Sequence, residues 1–279
     1  TYTSPGHPIV EIRRSGEEGK PLTFKAFPGE KPVIDQGCTQ DAPNNNRGIK
    51  IRANHVVIDG LEVRRCRYRG ICIIGTDIVI QNCHVHHNYT PRGGNNMAGI
   101  HVRGRRIVIR NNNIHHNINN PNLASHCSEI HVEGHAVDCI IENNEIWGNI
   151  HPKAHQCAGI LNKSGARHNI YRWNVIHDNS SIGIAVHSRG FEPRYGLGYE
   201  VYENIIYNCK TGINVNGERR GVVTQNVNVY NNTVYNARGP AVAFGGLPAR
   251  RIRFRNNIFV GTGRVVTGDA SPSRFEGNL

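Results

Sequence analysis

Four ionisable residues lie at the same offset within successive repeated segments of the chain. Each stands four places after a leading Gly-Ile or Glu-Ile pair, and they are Arg103, Glu133, Lys163 and His187. A lysine amine can accept a proton, and arginine or histidine can neutralise an acidic group beside the reacting carbon. This set therefore suits removal of a proton from a carbon that carries a carboxylate, provided that the four side chains share one surface.

An internal repeat predicts which elements carry these residues. Eight short runs align on their leading residues: GIKIR at 48, GICII at 70, GIHVR at 99, EIHVE at 129, GILNK at 159, GIAVH at 183, GINVN at 212 and AVAFG at 241. Successive starts are 22 to 30 residues apart, and two more short β-type runs follow each one. Three such runs per repeat predict an all-β fold, a single-stranded right-handed parallel β-helix (solenoid) of about eight to ten coils. The alternative, a β-propeller, needs about four antiparallel strands in each longer blade.

No linker or change of composition divides the chain, so we expect a single parallel β-helix domain over residues 1–279. Residues 1–47 are expected to form an N-terminal cap and first coil, residues 48–261 the repeated coils, and residues 262–279 a C-terminal partial coil. Asparagines recur two residues before the third run and should stack as a ladder; they are Asn112, Asn144, Asn204, Asn232 and Asn257.

Strand alternation predicts which side chains face outward. Ile130 and Val132 are apolar and should fill the core, as should their counterparts in other coils. One outward column then contains His101 and His131, and the second contains Arg103, Glu133, Lys163, His187 and Asn216. Coils lie about 4.8 Å apart, so these columns should form a continuous, solvent-exposed surface.

The longest connecting segments, 89–98, 118–128 and 150–158, enter the coils that carry the ionisable groups, and such loops often carry binding residues. We therefore predict catalytic roles for Lys163, His187, Arg189 and Arg103. The predicted substrate-binding residues are His101, His131, Glu133, Asn216, Arg92 and His155. The alternative interpretation is an ordinary exposed Lys–Glu pair, worth a few tenths of a kcal/mol.

The formal net charge is +12, which predicts an anionic partner. The arginines are scattered and aromatic residues make up 7%, so a nucleic-acid partner is not expected. No apolar run reaches the length of a membrane span. Together with an opening segment that lacks methionine, this predicts a processed, secreted or periplasmic protein that is a monomer and binds an anionic polysaccharide.

The eight cysteines show no CxxC spacing. Cys127 and Cys157 hold equivalent positions before their strands, which leaves a coil-to-coil disulfide and reduced thiols as alternatives. A metal site that includes His126, His151 and His155 is the third alternative.

Two further columns are predicted on other faces. His86, His115, Trp147, His177, Tyr207 and Tyr235 should stack along the solenoid, with sugar binding as a lesser alternative. His168 is expected to face the core with Cys139 and Tyr199.

One stretch resembles a known family. NKSGARHNIYRWN (162–174) and SSIGIAVHSRG (180–190) look like the Lys-Ser motif and following coil of polysaccharide lyase family six, the alginate lyases and chondroitinase B. This resemblance implies a lyase that cleaves a uronate polysaccharide by β-elimination, with Lys163 as the base and an arginine near His187 to Arg189. It also implies calcium, although Gln156 and Ala158 stand where the family has glutamate ligands.

Two alternatives to a lyase follow from the same residues. One is a non-catalytic β-helix module that binds or adheres to acidic glycans such as alginate, pectate or glycosaminoglycans. The other is a glycoside hydrolase or epimerase on the same scaffold, for which Glu133 alone would have to serve as both acid and base.

Overall fold

The computed structural model describes residues 8–37, 47–90, 97–120, 122, 127–153, 157–188, 195–217, 223–245, 249–261, 263–271 and 273–279. Its strands up to residue 133 are β1 Val10–Ile12, β2 Leu22–Lys25, β3 Val33–Asp35, β4 Arg47–Ile51, β5 Val56–Asp59, β6 Glu62–Arg64, β7 Arg69–Ile73, β8 Thr76–Gln81, β9 His84–His86, β10 Tyr89–Thr90, β11 Met97–Val102, β12 Arg105–Arg110, β13 Asn113–His115, β14 Ile118–Asn119 and β15 Cys127–Glu133. The remaining strands are β16 Ile140–Glu142, β17 Glu145–Trp147, β18 Ala158–Lys163, β19 Asn169–Arg172, β20 Val175–His177, β21 Ile182–Ser188, β22 Tyr195–Tyr202, β23 Ile205–Tyr207, β24 Thr211–Gly217, β25 Val223–Tyr230, β26 Thr233–Tyr235, β27 Pro240–Phe244, β28 Ala249–Arg255, β29 Ile258–Val260, β30 Arg264–Thr267 and β31 Ser273–Glu276.

Three parallel sheets run along the molecule, as the repeat predicts. Sheet S1 contains β1, β4, β7, β11, β15, β18, β21, β24, β27 and β30; sheet S2 contains β2, β5, β8, β12, β16, β19, β22, β25, β28 and β31. Sheet S3 contains β3, β6, β9, β13, β17, β20, β23, β26 and β29, and β10 pairs separately with β14. The chain therefore forms a parallel β-helix. Because segments that join several strands lie outside the described residues, eight to ten complete coils stays a prediction.

The coils wind in register, so equivalent side chains stack. The leading isoleucines of neighbouring S1 strands pair as Cα partners, and Ile100, Ile130 and Ile160 are all fully buried. The core between the sheets is built from such columns of Ile and Val, which suit a pleated, buried surface.

Residues with positive φ turn the corners between sheets. Asn111, Asn143 and Asn231 have φ of 56°, 52° and 54° at equivalent points after S2 strands. Asparagine tolerates this left-handed region better than most side chains. His168 directly precedes β19, has φ 55° and lies beside Asp138 with half of its side chain exposed, so its predicted core position is wrong. Asn169 is the inward residue instead, paired with Tyr199.

The predicted asparagine ladder is present, and it also includes Asn174 and Asn278. Asn144 donates from its backbone N and its Nδ2 to Asn174 Oδ1, at 3.1 and 3.0 Å. Asn174 in turn donates to Asn204 Oδ1 at 3.1 and 3.0 Å. The ladder satisfies buried amide groups at one corner of each coil, and so holds successive coils in phase.

A second ladder at the next corner includes an acid. Asn88 donates to Asn117 Oδ1 at 2.7 Å, and Asn149 donates its backbone N to Asn179 Oδ1 at 2.9 Å. Glu129, which stands where neighbouring coils have glycine, inserts its carboxyl group between Asn117 and Asn149. Burial raises the pKa of Glu129 to about 8, even though both asparagines donate hydrogen bonds to it.

Candidate active site

Glu133 and Lys163 end their strands at equivalent positions. They are Cα partners in the pairing of β15 with β18. Each accepts, on its carbonyl oxygen, a 3.3 Å hydrogen bond from the amide three residues later, at Ala136 and Ala166. The turn after Glu133 requires Gly134 at φ 65°, a conformation that favours glycine. These tight turns hold both side chains at the same edge of S1.

Arg103, His187 and Asn216 lie on either side of this pair along S1, and the five residues together are called the Lys163 row. His187 is the Cα partner of Asn216 in the pairing of β21 with β24. Arg103 follows β11 and donates its backbone N to the carbonyl of Ile73 at 3.0 Å. A Cβ atom added to Gly134 would lie 3.6 Å from Arg103 Nε, so the guanidinium lies over the turn that follows Glu133.

Two histidines of the adjoining outward column contact the Glu133 carboxylate. His101 Nε2 lies 2.8 Å from Glu133 Oε1, and His131 Nε2 lies 3.5 Å from Glu133 Oε2. Burial opposes ionisation of Glu133, but the hydrogen bond from His101 and nearby positive charge hold the pKa of its carboxyl well below its usual range. Glu133 is therefore a permanent carboxylate at neutral pH.

Both histidines are neutral at neutral pH. Complete burial lowers the pKa of His101 to about 4, although the hydrogen bond to Glu133 acts in the opposite direction. Burial also lowers the pKa of His131 well below its ordinary value. Within the described parts of the chain, neither ring nitrogen of His131 has a hydrogen-bond partner, and the same holds for Asn216 Oδ1. Such orphaned buried polar atoms are costly unless a ligand or water satisfies them.

The predicted exposure of this surface is wrong for most of the row. Lys163 and His187 are each 2% exposed, and His101 and His131 are fully buried, whereas Arg103 is exposed. A side chain that points away from the β-helix core is not necessarily in water, because stacked neighbours in adjacent coils cover one another. An outward apolar cluster adjoins Lys163 and consists of Ala158, Leu161, Ile182 and Ala185. The row is therefore open at Arg103 and closed at Lys163.

Cys127 and Cys157 are not metal ligands. The structure joins these two buried sulfur atoms in a disulfide, as one of the sequence alternatives held. His151 is buried and donates from Nε2 to the carbonyl of Asn120 at 3.0 Å, while its Nδ1 accepts from the Lys153 amide at 3.2 Å. Because both ring nitrogens bond to the backbone, His151 positions its own segment, and its prediction as a metal ligand is wrong.

Five of the residues named from the sequence lie outside the described residues: Arg92, His126, His155, Gln156 and Arg189. Their predicted roles stay predictions.

Arg69 is a charged neighbour of the site that sequence reasoning missed. Its guanidinium lies 4.4 Å from the Tyr68 ring centroid and its positive charge acts on His101, His131 and Glu133. The residue is only 7% exposed. The sequence did hold a signal for this position. Arg69 directly precedes the leading glycine at 70, and strand pairing makes it the Cα partner of Ala98, three residues before His101.

The residues present do not fit the calcium that the family resemblance implies. Calcium requires six to eight oxygen ligands. Ala158 offers no side-chain oxygen, and Glu133 is the one carboxylate that the described residues place in the row. One ligand atom from each of His101, His131 and Glu133 lies within 4.8 Å of the others, but two imidazoles and one carboxylate suit a transition metal.

Comparisons with known proteins agree with this architecture. A family model described as "Right handed beta helix region" matches residues 44–194. Pectate lyase L of Paenibacillus polymyxa (strain SC2) is 32% identical over 79 residues, which is 28% of this chain and 17% of that protein. The match thus spans less than a fifth of the length of this relative.

Two solved structures share most of the fold. Pectate lyase Pel9A superposes with a TM-score of 0.71 at 15% identity, over 96% of this chain and 68% of that one. The alginate lyase from Paenibacillus sp. str. FPU-7 superposes with a TM-score of 0.65 at 16% identity, over 95% of this chain and 87% of that one. At these identities the likeness shows a common fold. In the residues that the structure describes, no helix is long and apolar enough to span a membrane.

Proposed function

The chain belongs to the right-handed β-helix family, and from this premise we propose that it is a polysaccharide lyase that cleaves an anionic, uronate-containing polysaccharide by β-elimination. The observation that carries this proposal is the position of Lys163, which the strand register aligns with Glu133 and which the family resemblance identifies as the base. The similarity in fold to a pectate lyase and an alginate lyase supports it.

The proposed reaction requires the substrate to displace groups that cover Lys163, which is 2% exposed in this structure. It begins at the carbon next to the uronate carboxylate. The Lys163 amine takes the C5 proton, the electrons of the C–H bond form the C4=C5 double bond, and the C4–O bond breaks. The leaving oxygen takes a proton from water, and the Lys163 ammonium group returns its proton to the solvent. Abstraction from such a carbon is slow unless the adjacent carboxylate is neutralised, since negative charge builds on it. Arg103, which is exposed at the open end of the row, is the group that we assign to this neutralisation.

The amine of Lys163 must be neutral to accept a proton. A neighbouring positive charge favours that state, and a neighbouring carboxylate opposes it. His101 donates a hydrogen bond to the Glu133 carboxylate. His101 belongs to the coil before Glu133, and Lys163 belongs to the coil after it. Asn216, which is half-buried and whose Oδ1 lacks a partner in the described structure, is proposed to bind a substrate hydroxyl group. His101 and His131 were predicted to bind substrate, but they are fully buried and contact the Glu133 carboxylate instead.

The state of Glu133 favours elimination over hydrolysis. An inverting or retaining glycosidase requires one carboxyl group that is protonated at the working pH. Because Glu133 stays ionised, it is unsuited to that role.

We also propose that the protein works in an oxidising, extracellular or periplasmic compartment. The Cys127–Cys157 disulfide supports this location, since such bonds persist mainly in secreted proteins.

Incubation with alginate, pectate and glycosaminoglycans tests the proposal, with the ultraviolet absorbance of the unsaturated uronate as the readout. We expect that absorbance to rise with at least one of these polymers. Binding to a polymer without any product would instead indicate a glycan-binding module. Release of reducing ends without the absorbance would indicate a hydrolase.

A further inference from the structure

Five histidines lie along sheet S3, whereas the Lys163 row lies along sheet S1. They lie in CHVHHN (83–88) and NIHHN (113–117) and are His84, His86, His87, His115 and His116. Strands β9 and β13 pair in parallel, with His86 as the Cα partner of His115 and His84 as that of Asn113. Val85 and Ile114 face the core and are fully buried, so their strand neighbours His84, His86 and His115 face outward.

Three of these imidazoles converge on one point. His84 Nε2 lies 2.7 Å from His115 Nε2, and the His84 and His86 rings stack at a centroid distance of 4.0 Å. One ligand nitrogen from each of His84, His86 and His115 lies within 4.8 Å of the others. We propose that these three residues bind one divalent transition metal ion, of the class of zinc, cobalt or nickel.

The type of ligand indicates the class of metal. Neutral imidazole offers a lone pair to a metal, and imidazole ligands suit zinc, nickel and copper rather than calcium or magnesium.

Neighbouring groups complete the site. His115 Nδ1 lies 2.8 Å from His116 Nδ1, which leaves His115 Nε2 to face His84 and the metal. His86 Nδ1 lies 2.7 Å from His87 Nδ1, which leaves His86 Nε2 for the metal. Glu62 Oε1 lies 3.2 Å from that Nε2, so a carboxylate is at hand as a fourth ligand. The Arg64 charge nearby is offset because that guanidinium is paired with both Asp35 and Glu62.

Metal binding requires only a small displacement between His84 and His115. Tetrahedral zinc with Zn–N bonds of about 2.05 Å separates its ligand nitrogens by about 3.3 Å. His84 Nε2 and His115 Nε2, now 2.7 Å apart, would move apart by roughly half an ångström. Because they lie on adjacent coils, the ion would join β9 to β13 without involving the Lys163 row.

The group of His101, His131 and Glu133 is the competing metal site within the described residues. It is less suited to a cation, because Arg69, Arg103 and Lys163 place positive charge around it. His101 and His131 are also fully buried, whereas His84 and His86 are partly accessible.

Titration of tag-free protein with Zn²⁺ by calorimetry, and with Co²⁺ by visible absorbance, tests this assignment. We expect one equivalent to bind the wild type, with Co²⁺ bands typical of nitrogen and oxygen ligands. His84→Asn and His115→Asn, which each remove one ligand from a different coil, should weaken binding by at least about 100-fold.

Two matched variants serve as controls. His131→Asn removes a histidine from the competing group, and His168→Asn removes an exposed histidine on another face; both should bind as the wild type does. Circular dichroism verifies that each variant is folded. Loss of binding in His131→Asn, with His84→Asn and His115→Asn unaffected, would overturn the proposal, as would a folded wild type that binds neither metal.

Discussion

Lys163 lies directly beside Glu133, one coil further along sheet S1, and each is the last residue of its strand before a tight turn. Two opposite charges at this spacing form an ordinary cross-strand pair on most sheets. Here the pair adjoins two buried neutral histidines and an exposed arginine, and Lys163 itself is 2% exposed. A surface ion pair that existed only for stability would not need such an environment.

Replacing Lys163 by methionine should abolish elimination. Methionine preserves most of the buried volume while it removes the proton acceptor, so we expect turnover to fall by at least about 100-fold. The measurement is the rate of unsaturated product formation on the best polymer. Lys50→Met is the matched control, because Lys50 faces outward on the same sheet and pairs with Glu11. Equal turnover in the Lys163 variant and the wild type would remove Lys163 from the mechanism.

Glu129 should make stability decline as pH rises through neutrality. The pKa of Glu129 is about 8 in the folded chain and near its ordinary value of 4.5 when unfolded, so the folded state holds the proton more tightly between these values. Its favourable contribution is complete below about pH 4.5 and is lost as pH approaches 8, by about 5 kcal/mol at most. Denaturant unfolding of wild type and Glu129→Gln at several pH values measures this difference. A difference between the two that is constant from pH 4.5 to 8 would contradict it.

His101 should make stability decline as pH falls below about 6.5. Because its pKa falls to about 4 on folding, the unfolded chain binds the proton first as pH drops below about 6.5. Stability should therefore decrease between about pH 6.5 and 4, with His101 contributing about 3 kcal/mol of that loss. His101→Asn should flatten this part of the pH–stability curve, while His168→Asn, at an exposed site, should leave it unchanged. An identical acid slope in all three proteins would show that His101 is not the responsible group.

Asn174 should be among the most important single residues for stability. Its Oδ1 accepts two hydrogen bonds from Asn144, and its Nδ2 donates to the carbonyl of Ile141 at 2.9 Å. Asn174→Ala leaves these buried groups without partners, which should cost about 3 kcal/mol of unfolding free energy. Asn228→Ala, which removes one hydrogen bond to Glu200 on a half-buried strand face, should cost about 1 kcal/mol or less. Thermal or urea unfolding compares the two, and equal losses would argue against a structural role for the ladder.

Much of the scaffold was predictable because it depends on local, periodic features. The repeat spacing and the alternation around Ile100, Ile130 and Ile160 predicted a parallel β-helix whose coils stack in phase. That phase alone places Glu133 beside Lys163 and His187 beside Asn216. The asparagine ladder was also predictable, since each member holds the same position in its coil.

The environment of these side chains was not predictable in the same way. Three predictions were wrong: the exposure of Lys163, the core position of His168 and the ligand role of His151. Each depends on which groups of other coils contact the residue. The same reason applies to Glu129. In the sequence it is an exception in a column made mostly of glycines, and in the structure its carboxyl group replaces an asparagine contact in the second ladder. The contact between His84 and His115 likewise joins residues 31 apart in sequence.

The amino-acid sequence by itself determined the winding of the chain and the row in which Lys163 stands, since strand alternation and repeat length are properties of short segments. Tertiary structure alone decided which members of that row are buried, ionised or bonded. Burial and charge–charge interactions arise from groups that only the stacking of distant segments brings together.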